Sequence, residues 1–108
     1  MDEREFVVCA DEQLARIEAA LETCDADFDF ELKPGGMLEL EFADGSKIIV
    51  NRHVAAREIW LAAKSGGFHF RWDGERWIGT RDGTELLTAL SRCMGEQAGQ
   101  PITLAGAA

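Results

Sequence analysis

The part of the sequence that decides the fold is DFDFELKPGGMLELEF, residues 27–42. Acidic and large apolar residues alternate over 27–32 and again over 38–42, which is the period of a strand with one buried face. A Lys-Pro-Gly-Gly turn at 33–36 separates the two runs. The segment therefore predicts a β-hairpin with its acidic residues on the outer face and its apolar residues on the inner face.

Downstream of this hairpin the strand pattern continues. An Asp-Gly turn leads into a strand at 47–51, and another strand follows at 58–62. Two glycines introduce a strand at 68–72, and a second Asp-Gly turn closes it onto 76–78. These runs predict an antiparallel, meandering sheet of about six strands.

Both ends of the chain show helical spacing instead. Near the N-terminus, apolar residues recur every three or four positions; they are Phe6, Ala10, Leu14, Ile17, Leu21 and Cys24. The acids Asp11, Glu18, Glu22 and Asp25 form a second stripe on the same predicted helix. A last helix is expected from about Thr84 as N-cap, with Leu87, Leu90 and Met94 buried, and 99–101 ending it.

The predicted fold class is α+β: a two-layer α/β sandwich with the N- and C-terminal helices packed on one face of an antiparallel sheet of about six strands. With 108 residues, of which 46% are hydrophobic, the chain is expected to form a single domain over 1–108. The tail from Pro101 either packs through Ile102 and Leu104 or is loose, and residues 105–108 are the candidates for a disordered tail.

The other sheet face is left to solvent or to a partner. The residues expected to point into the core are Ile48, Val50, Ile59 and Leu61. Alternation then sends Ile49, Asn51 and Trp60 to the uncovered face. An outward Trp in mid-sheet is uncommon, and Trp is a favoured anchor in interfaces. We interpret Trp60 as a binding residue; the alternative is that it lies on neighbouring side chains.

Charge is concentrated in one segment. Between Ile17 and Leu32 there are six acidic residues and no Lys or Arg: Glu18, Glu22, Asp25, Asp27, Asp29 and Glu31. Residues 1–44 hold 14 acids against three bases, while residues 45–108 hold six acids against eight bases. Such a run is either tolerated for solubility or kept because a cation or a basic partner binds there.

Composition also excludes several classes of function. A net charge of −9 and a pI near 4.6 repel nucleic acid phosphates and anionic lipid. The N-terminus lacks a basic, apolar leader and no apolar stretch could span a bilayer, so we expect a cytoplasmic protein. No GxSxG, P-loop or GxGxxG motif is present, so no catalytic residue is assigned and no enzyme is expected.

The cysteines and histidines do not indicate a metal cluster. Cys9, Cys24 and Cys93 are odd in number, widely spaced and without a CxxC pair, which favours small buried thiols; Cys24 stays open because acids flank it. His53 and His69 are far apart in sequence and are interpreted as structural or surface residues near the sheet.

An ordered set of motifs carries a family resemblance. After the acidic helix stripe and the Asp-x-Asp-x-Glu first strand come GSKIIVNR (45–52), IWLA (59–62), GGFHF (66–70) and a DGxRWI pattern (73–78). This set resembles the bacterial frataxin family, from Phe6 to about Leu104. The fold of that family is the sandwich of two helices and six strands already predicted from periodicity.

The resemblance implies iron binding on an acidic ridge. It also implies regulation or iron supply in iron–sulfur cluster assembly, by contact with the cysteine desulfurase and the scaffold protein. By position, the ridge maps to Glu18, Glu22, Asp25, Asp27, Asp29 and Glu31, and the sheet-surface partner contacts map to Asn51 and Trp60. Ala19 and Thr23 stand where further acids are common, His53-Val54-Ala55 where Gln and Pro are common, and Glu58 where Gln is common.

The chemistry of the ridge limits what it could hold. Carboxylate oxygens suit hydrated divalent ions, so Fe²⁺ or Fe³⁺ would bind weakly, and Mn²⁺, Co²⁺ or Ca²⁺ would be accepted as well. We expect a monomer, with iron-dependent oligomerisation left open. The alternative is an acidic protein-interaction module that docks a basic partner without physiological metal binding; a ferrous oxidase is a third, enzymatic hypothesis.

Overall fold

The computed structural model describes residues 1–107, and the chain forms its elements in the predicted order. They are α1 (Glu3–Glu22), β1 (Phe28–Lys33), β2 (Met37–Phe42), β3 (Lys47–His53), β4 (Glu58–Ala63), β5 (Gly66–Trp72), β6 (Trp77–Gly79) and α2 (Leu86–Ala98). The strands form one sheet in the order β1-β2-β3-β4-β5-β6, and each neighbouring pair is antiparallel. The predicted fold class is therefore confirmed.

Helix α1 begins at Glu3 because Asp2 caps it. The Asp2 carboxylate accepts a hydrogen bond from the Glu5 backbone N–H at 2.8 Å, and the Glu5 side chain accepts one from the Asp2 N–H at 3.3 Å. The predicted apolar face is buried from Phe6 to Leu21, but Cys24 lies beyond the helix and is half-buried. The helix ends at Glu22, however, so the prediction that its acidic stripe reaches Asp25 is wrong. The Thr23 hydroxyl donates back to the Ala20 carbonyl, and the Asp-rich sequence that follows does not favour a helix.

Helix α2 has Glu85 as its N-cap, one residue later than the predicted Thr84. The Glu85 carboxylate accepts hydrogen bonds from the backbone N–H groups of Leu87 at 2.8 Å and Thr88 at 3.1 Å. The predicted buried stripe of this helix is confirmed. Gly99 ends the helix with a φ of 72°, a left-handed conformation that glycine adopts without strain. In the described part of the chain, neither helix is long and apolar enough to cross a membrane.

The helices cover the sheet face that carries the apolar residues. The buried residues of this face are Leu38, Leu40, Phe42, Ile48, Val50, Ile59, Leu61 and Phe70, each 3% exposed or less. Phe28 and Phe30 of β1 are half-buried against them, as the hairpin pattern predicts. Leu32 is 44% exposed, so its predicted burial is wrong. It lies near the end of an edge strand, which has a neighbouring strand on one side only.

The C-terminal tail packs on α2. Leu104 is 2% exposed, and its backbone N–H donates to the Ser91 hydroxyl at 3.0 Å. That hydroxyl donates in turn to the Leu87 carbonyl at 2.7 Å. Of the two possibilities stated for the tail, packed or loose, the packed one therefore holds at Leu104. Of the residues considered for a disordered tail, Ala107 is half-buried against the core, and Ala108 lies outside the described residues.

Candidate metal and docking surfaces

We call the six carboxylates of the predicted metal set the acidic ridge. Glu18 and Glu22 lie in the last turns of α1, Asp25 and Asp27 lie in the connection to β1, and Asp29 and Glu31 lie on β1. All are exposed except Glu18, which is half-buried. Within residues 1–107 none of the six takes part in an ion pair. The ridge is therefore a strip of negative charge that the protein itself does not neutralise.

The open face of the sheet extends this negative charge. Asp29 lies directly opposite Glu41 of β2, and Glu31 lies opposite Glu39. Like charges in directly opposed positions destabilise a sheet. Lys33 and Lys47 partly offset this, because their ammonium nitrogens lie 3.3 and 3.8 Å from a Glu39 carboxylate oxygen. Glu39 and Glu41 were not assigned to the metal set, although the strand alternation places them on the outer face.

The ridge does not contain a preformed coordination cage. In the part of the chain that the structure describes, no three Asp, Glu, His or Cys side chains are placed to hold a metal ion together. Asp11, the first acid of the predicted helical stripe, forms an ion pair with Arg52 of β3 instead. What the ridge can do is attract a hydrated cation, which one or two carboxylates would contact while the others supply the field.

The predicted docking residues lie together at the centre of the open face. Asn51 of β3 is in register with Trp60 of β4, which is in register with His69 of β5. The Trp60 ring lies between His53, at 3.8 Å between centroids and 10° from parallel, and His69, at 4.4 Å and 9°. Trp60 therefore does lie on neighbouring side chains, as its alternative interpretation expects, and these side chains are the two imidazoles. They cover both faces of the indole ring, so that its edges are left for contact.

A buried carboxylate lies beside this stack. Glu58 is on the open face of β4 but is only 6% exposed. Its carboxylate accepts hydrogen bonds from Trp60 Nε1 and Arg71 Nε, each at 2.8 Å, and His69 Nδ1 lies 3.6 Å away. No motif or charge pattern assigned Glu58 a role in positioning Trp60. The one indication in the sequence was that Glu58 and Trp60 are two positions apart, and residues two apart on a strand lie on the same face of the sheet.

These contacts determine the ionisation of Glu58. Burial by itself would raise the pKa of Glu58, but the hydrogen bonds from Trp60 and Arg71 and the charges of Arg71 and His69 outweigh it. The pKa of Glu58 is therefore held below its ordinary value of 4.5. The ionised carboxylate thus stabilises the folded protein above that pH.

We expect Glu58→Gln to destabilise the protein at pH 7 by about 1–3 kcal/mol, because charge-assisted hydrogen bonds to Arg71 and Trp60 are lost. Since the folded-state pKa lies below 4.5, the contribution is present above that pH and is lost as pH falls through the folded-state value. Urea unfolding at pH 7 and near pH 3 should show the difference between wild type and variant shrinking in acid. Glu75→Gln, an exposed control, should show little difference at either pH, and an equal Glu58→Gln difference at both would refute the assignment.

Two of the three thiols, Cys9 and Cys93, lie in environments that keep them protonated. Cys93 is 1% exposed, while Cys9 and Cys24 are half-buried. Burial raises the pKa of the Cys9 and Cys93 thiols, so both are protonated at neutral pH. The prediction of small buried thiols is confirmed for Cys93 and holds in part for Cys9; no such prediction was made for Cys24.

Comparison with known proteins identifies the family. The family model described as "Frataxin-like domain" matches residues 1–100. The chain belongs to the frataxin-like domain family. The family resemblance stated from the sequence is therefore confirmed.

Individual members of the frataxin-like family match over nearly the whole chain. The iron-sulfur cluster assembly protein CyaY of Dechloromonas aromatica is 64% identical over 104 residues, which cover 96% of this chain and 99% of that protein. CyaY of Cupriavidus necator is 50% identical over 107 residues, covering 96% of each chain. The solved structure of Psychromonas ingrahamii frataxin superposes with a TM-score of 0.86 at 34% identity, covering 95% of this chain and 97% of that one.

Proposed function

We propose that this frataxin-like protein regulates iron–sulfur cluster assembly or supplies iron for it. It would bind iron ions on the acidic ridge and dock on the cysteine desulfurase and scaffold complex. The observation that carries the proposal is the set of six ridge carboxylates without an ion-pair partner in residues 1–107. The names of the CyaY relatives support the pathway.

The charge distribution supports a cationic partner for the ridge. Carboxylates held close together repel one another, and a bound cation relieves that repulsion. Hard carboxylate oxygens suit Fe²⁺ and Fe³⁺, and they accept Mn²⁺, Co²⁺ and Ca²⁺ as well. An ion held by one or two carboxylates keeps most of its water and leaves readily. Such binding suits an ion that is carried and handed on rather than stored.

The open sheet face supports docking on a polarised protein surface. Its acidic residues lie at the β1–β2 edge, Trp60 lies in the middle, and Arg71 lies on β5 towards the other edge. A basic patch on the desulfurase would be attracted to the acidic part, and the attraction would weaken as salt is added. Trp60, with Asn51 beside it, would supply the anchor at the centre.

One observation favours the alternative function, an acidic docking module without physiological metal binding. Residues 1–107 contain no group of three potential ligands placed to hold one ion. For both the iron-binding function and the docking-only alternative we assign no catalytic residue. In both cases we propose a cytoplasmic monomer, and its self-association with iron can be measured directly. The two versions differ in whether iron perturbs the ridge.

An anaerobic Fe²⁺ titration followed by amide NMR separates them. Paramagnetic iron should broaden the signals of residues 18–31 first, and adding the cysteine desulfurase should shift the same signals. Residues 73–78, outside the ridge, serve as an internal control. If iron leaves residues 18–31 untouched while the desulfurase still shifts them, the ridge is a docking surface only and the role in iron handling is refuted.

A further inference from the structure

Both histidines of this chain belong to the Trp60 surface. The sequence contains two of them, His53 and His69, and their rings lie on opposite faces of the Trp60 indole. Histidine is the side chain whose charge ordinarily changes between pH 5 and 8. Side chains of the type that responds to pH near neutrality are therefore concentrated at the centre of the open sheet face.

The two imidazoles differ in their hydrogen-bonding surroundings. His69 is 47% exposed, and its Nδ1 lies 3.6 Å from Glu58 Oε1. His53 Nδ1 instead accepts a hydrogen bond from the Ala56 backbone N–H at 3.3 Å. Within residues 1–107 no carboxylate oxygen lies within 4 Å of a ring nitrogen of His53. Because an imidazolium has no acceptor, a proton on His53 Nδ1 would displace a hydrogen bond, whereas a proton on His69 Nδ1 would gain a carboxylate partner.

A proton on His69 would act on the bond that orients Trp60. Glu58 Oε1 accepts the hydrogen bond from Trp60 Nε1 at 2.8 Å. An imidazolium 3.6 Å away would be attracted to the same oxygen and compete with the indole for it. The other oxygen, Oε2, already accepts from Arg71 Nε at 2.8 Å. The charge of His69 is thus coupled to the orientation of Trp60.

The charged groups that face His69 keep their own charge near neutral pH. They come from β4, β5, the segment between β6 and α2, and α2 itself: Glu58, Arg71, Arg81, Asp82 and Arg92. Arginine stays charged throughout this range. The pKa of Glu58 is held below 4.5 in spite of its burial, and the Thr84 backbone N–H holds the pKa of Asp82 below 3.8. His69 is therefore the group of this set that can switch charge.

Docking would change how well His69 holds a proton. A partner that covers Trp60 also removes the neighbouring imidazole from water, and burial disfavours a charged group. A basic patch on that partner adds repulsion. Both effects have the same sign, so the complex binds fewer protons than the free protein. Affinity must then fall as the free protein takes up a proton.

We propose that His69 makes docking on the open sheet face depend on pH, so that a basic partner binds more weakly in mild acid than at neutral pH. This inference rests on the proposed function, because the docking that it regulates is that on the cysteine desulfurase. Neutral His69 leaves Glu58 Oε1 to Trp60. Protonated His69 disturbs that bond and places a positive charge at the centre of the docking surface.

One measurement uses the free protein and needs no partner. Protein labelled with ¹⁵N is titrated from pH 7.5 to 5.5, and the Trp60 indole N–H signal is compared with the ring signals of both histidines. The Trp60 signal should follow the titration of His69, and His69→Phe should abolish that shift. The indole signals of Trp72 and Trp77 serve as internal controls. The proposal is overturned if the Trp60 signal does not change with pH or follows His53 instead.

The second measurement is calorimetry with purified cysteine desulfurase at pH 7.5 and pH 5.5. Wild type should bind at least about fivefold more weakly at pH 5.5, since one displaced proton of an ordinary imidazole accounts for up to about tenfold over these two pH units. His69→Phe keeps an aromatic ring beside Trp60 but cannot be protonated, so its two affinities should differ much less. His53→Phe is the matched control and should keep the wild-type ratio. Comparing ratios cancels any titration of the desulfurase itself.

The outcomes separate this proposal from the docking role on which it rests. If His69→Phe lowers both affinities but keeps the wild-type ratio, His69 is a structural residue and the pH proposal is overturned while docking stands. The same follows if His53→Phe removes the pH dependence as completely as His69→Phe does. If wild type binds the desulfurase at neither pH, the docking role is refuted and this proposal with it.

Discussion

Replacing Trp60 with alanine is expected to weaken binding to the cysteine desulfurase and scaffold complex about thirtyfold, equivalent to about 2 kcal/mol. The indole lies at the centre of the open face, between His53 and His69, with Nε1 bound to Glu58. Its orientation is set before any partner arrives, so little conformational entropy is lost when it is buried. Titration calorimetry with the purified complex measures the change in affinity.

The same substitution should have a smaller effect on folding. Two ring contacts and one hydrogen bond are lost, so the free energy of unfolding should fall by about 1–2 kcal/mol. Truncating a core aromatic residue costs about 3–5 kcal/mol. A loss of that size would mean that Trp60 is a structural residue. As a control, Trp72→Ala removes an indole from the helix-covered side and should leave partner affinity unchanged.

The second large effect is expected from reversing Glu18 and Glu22 to lysine together. The double variant removes two ridge carboxylates and adds two positive charges, so Fe²⁺ affinity should fall and desulfurase affinity should fall at least tenfold, about 1.4 kcal/mol. The loss in desulfurase affinity should be greatest at low salt, because screening weakens interactions between exposed charges. Anaerobic iron titration and calorimetry at two salt concentrations provide the measurements.

A matched variant separates the local from the global effect of charge. Glu75→Lys with Glu96→Lys changes the net charge by the same amount at exposed positions outside the ridge. If the control weakens desulfurase binding as much as the ridge variant does, only net charge matters. If neither affinity changes in the ridge variant, the binding sites lie elsewhere on the protein.

The hairpin, the order of the strands and the buried faces could be predicted because they depend on local periodicity. Alternation over residues 27–42 permits one inward face only, since a shift of one residue would bury the acids. The same rule placed Asn51 and Trp60 on the open face. The acidic ridge was equally visible, because its residues are close in sequence. Element ends were less certain: α1 stops before Asp25, and Glu85 rather than Thr84 caps α2.

By itself, then, the sequence determined the fold class, which face each strand residue occupies, and where negative charge accumulates. Only the tertiary structure decided which side chains from different strands meet. Cross-strand register brings His53, Glu58 and His69 around Trp60, and core packing leaves Nε1 of the buried Trp77 without a hydrogen-bond acceptor within residues 1–107. The physical reason is that periodicity reports the direction of a side chain, whereas contacts between residues distant in sequence depend on register and packing.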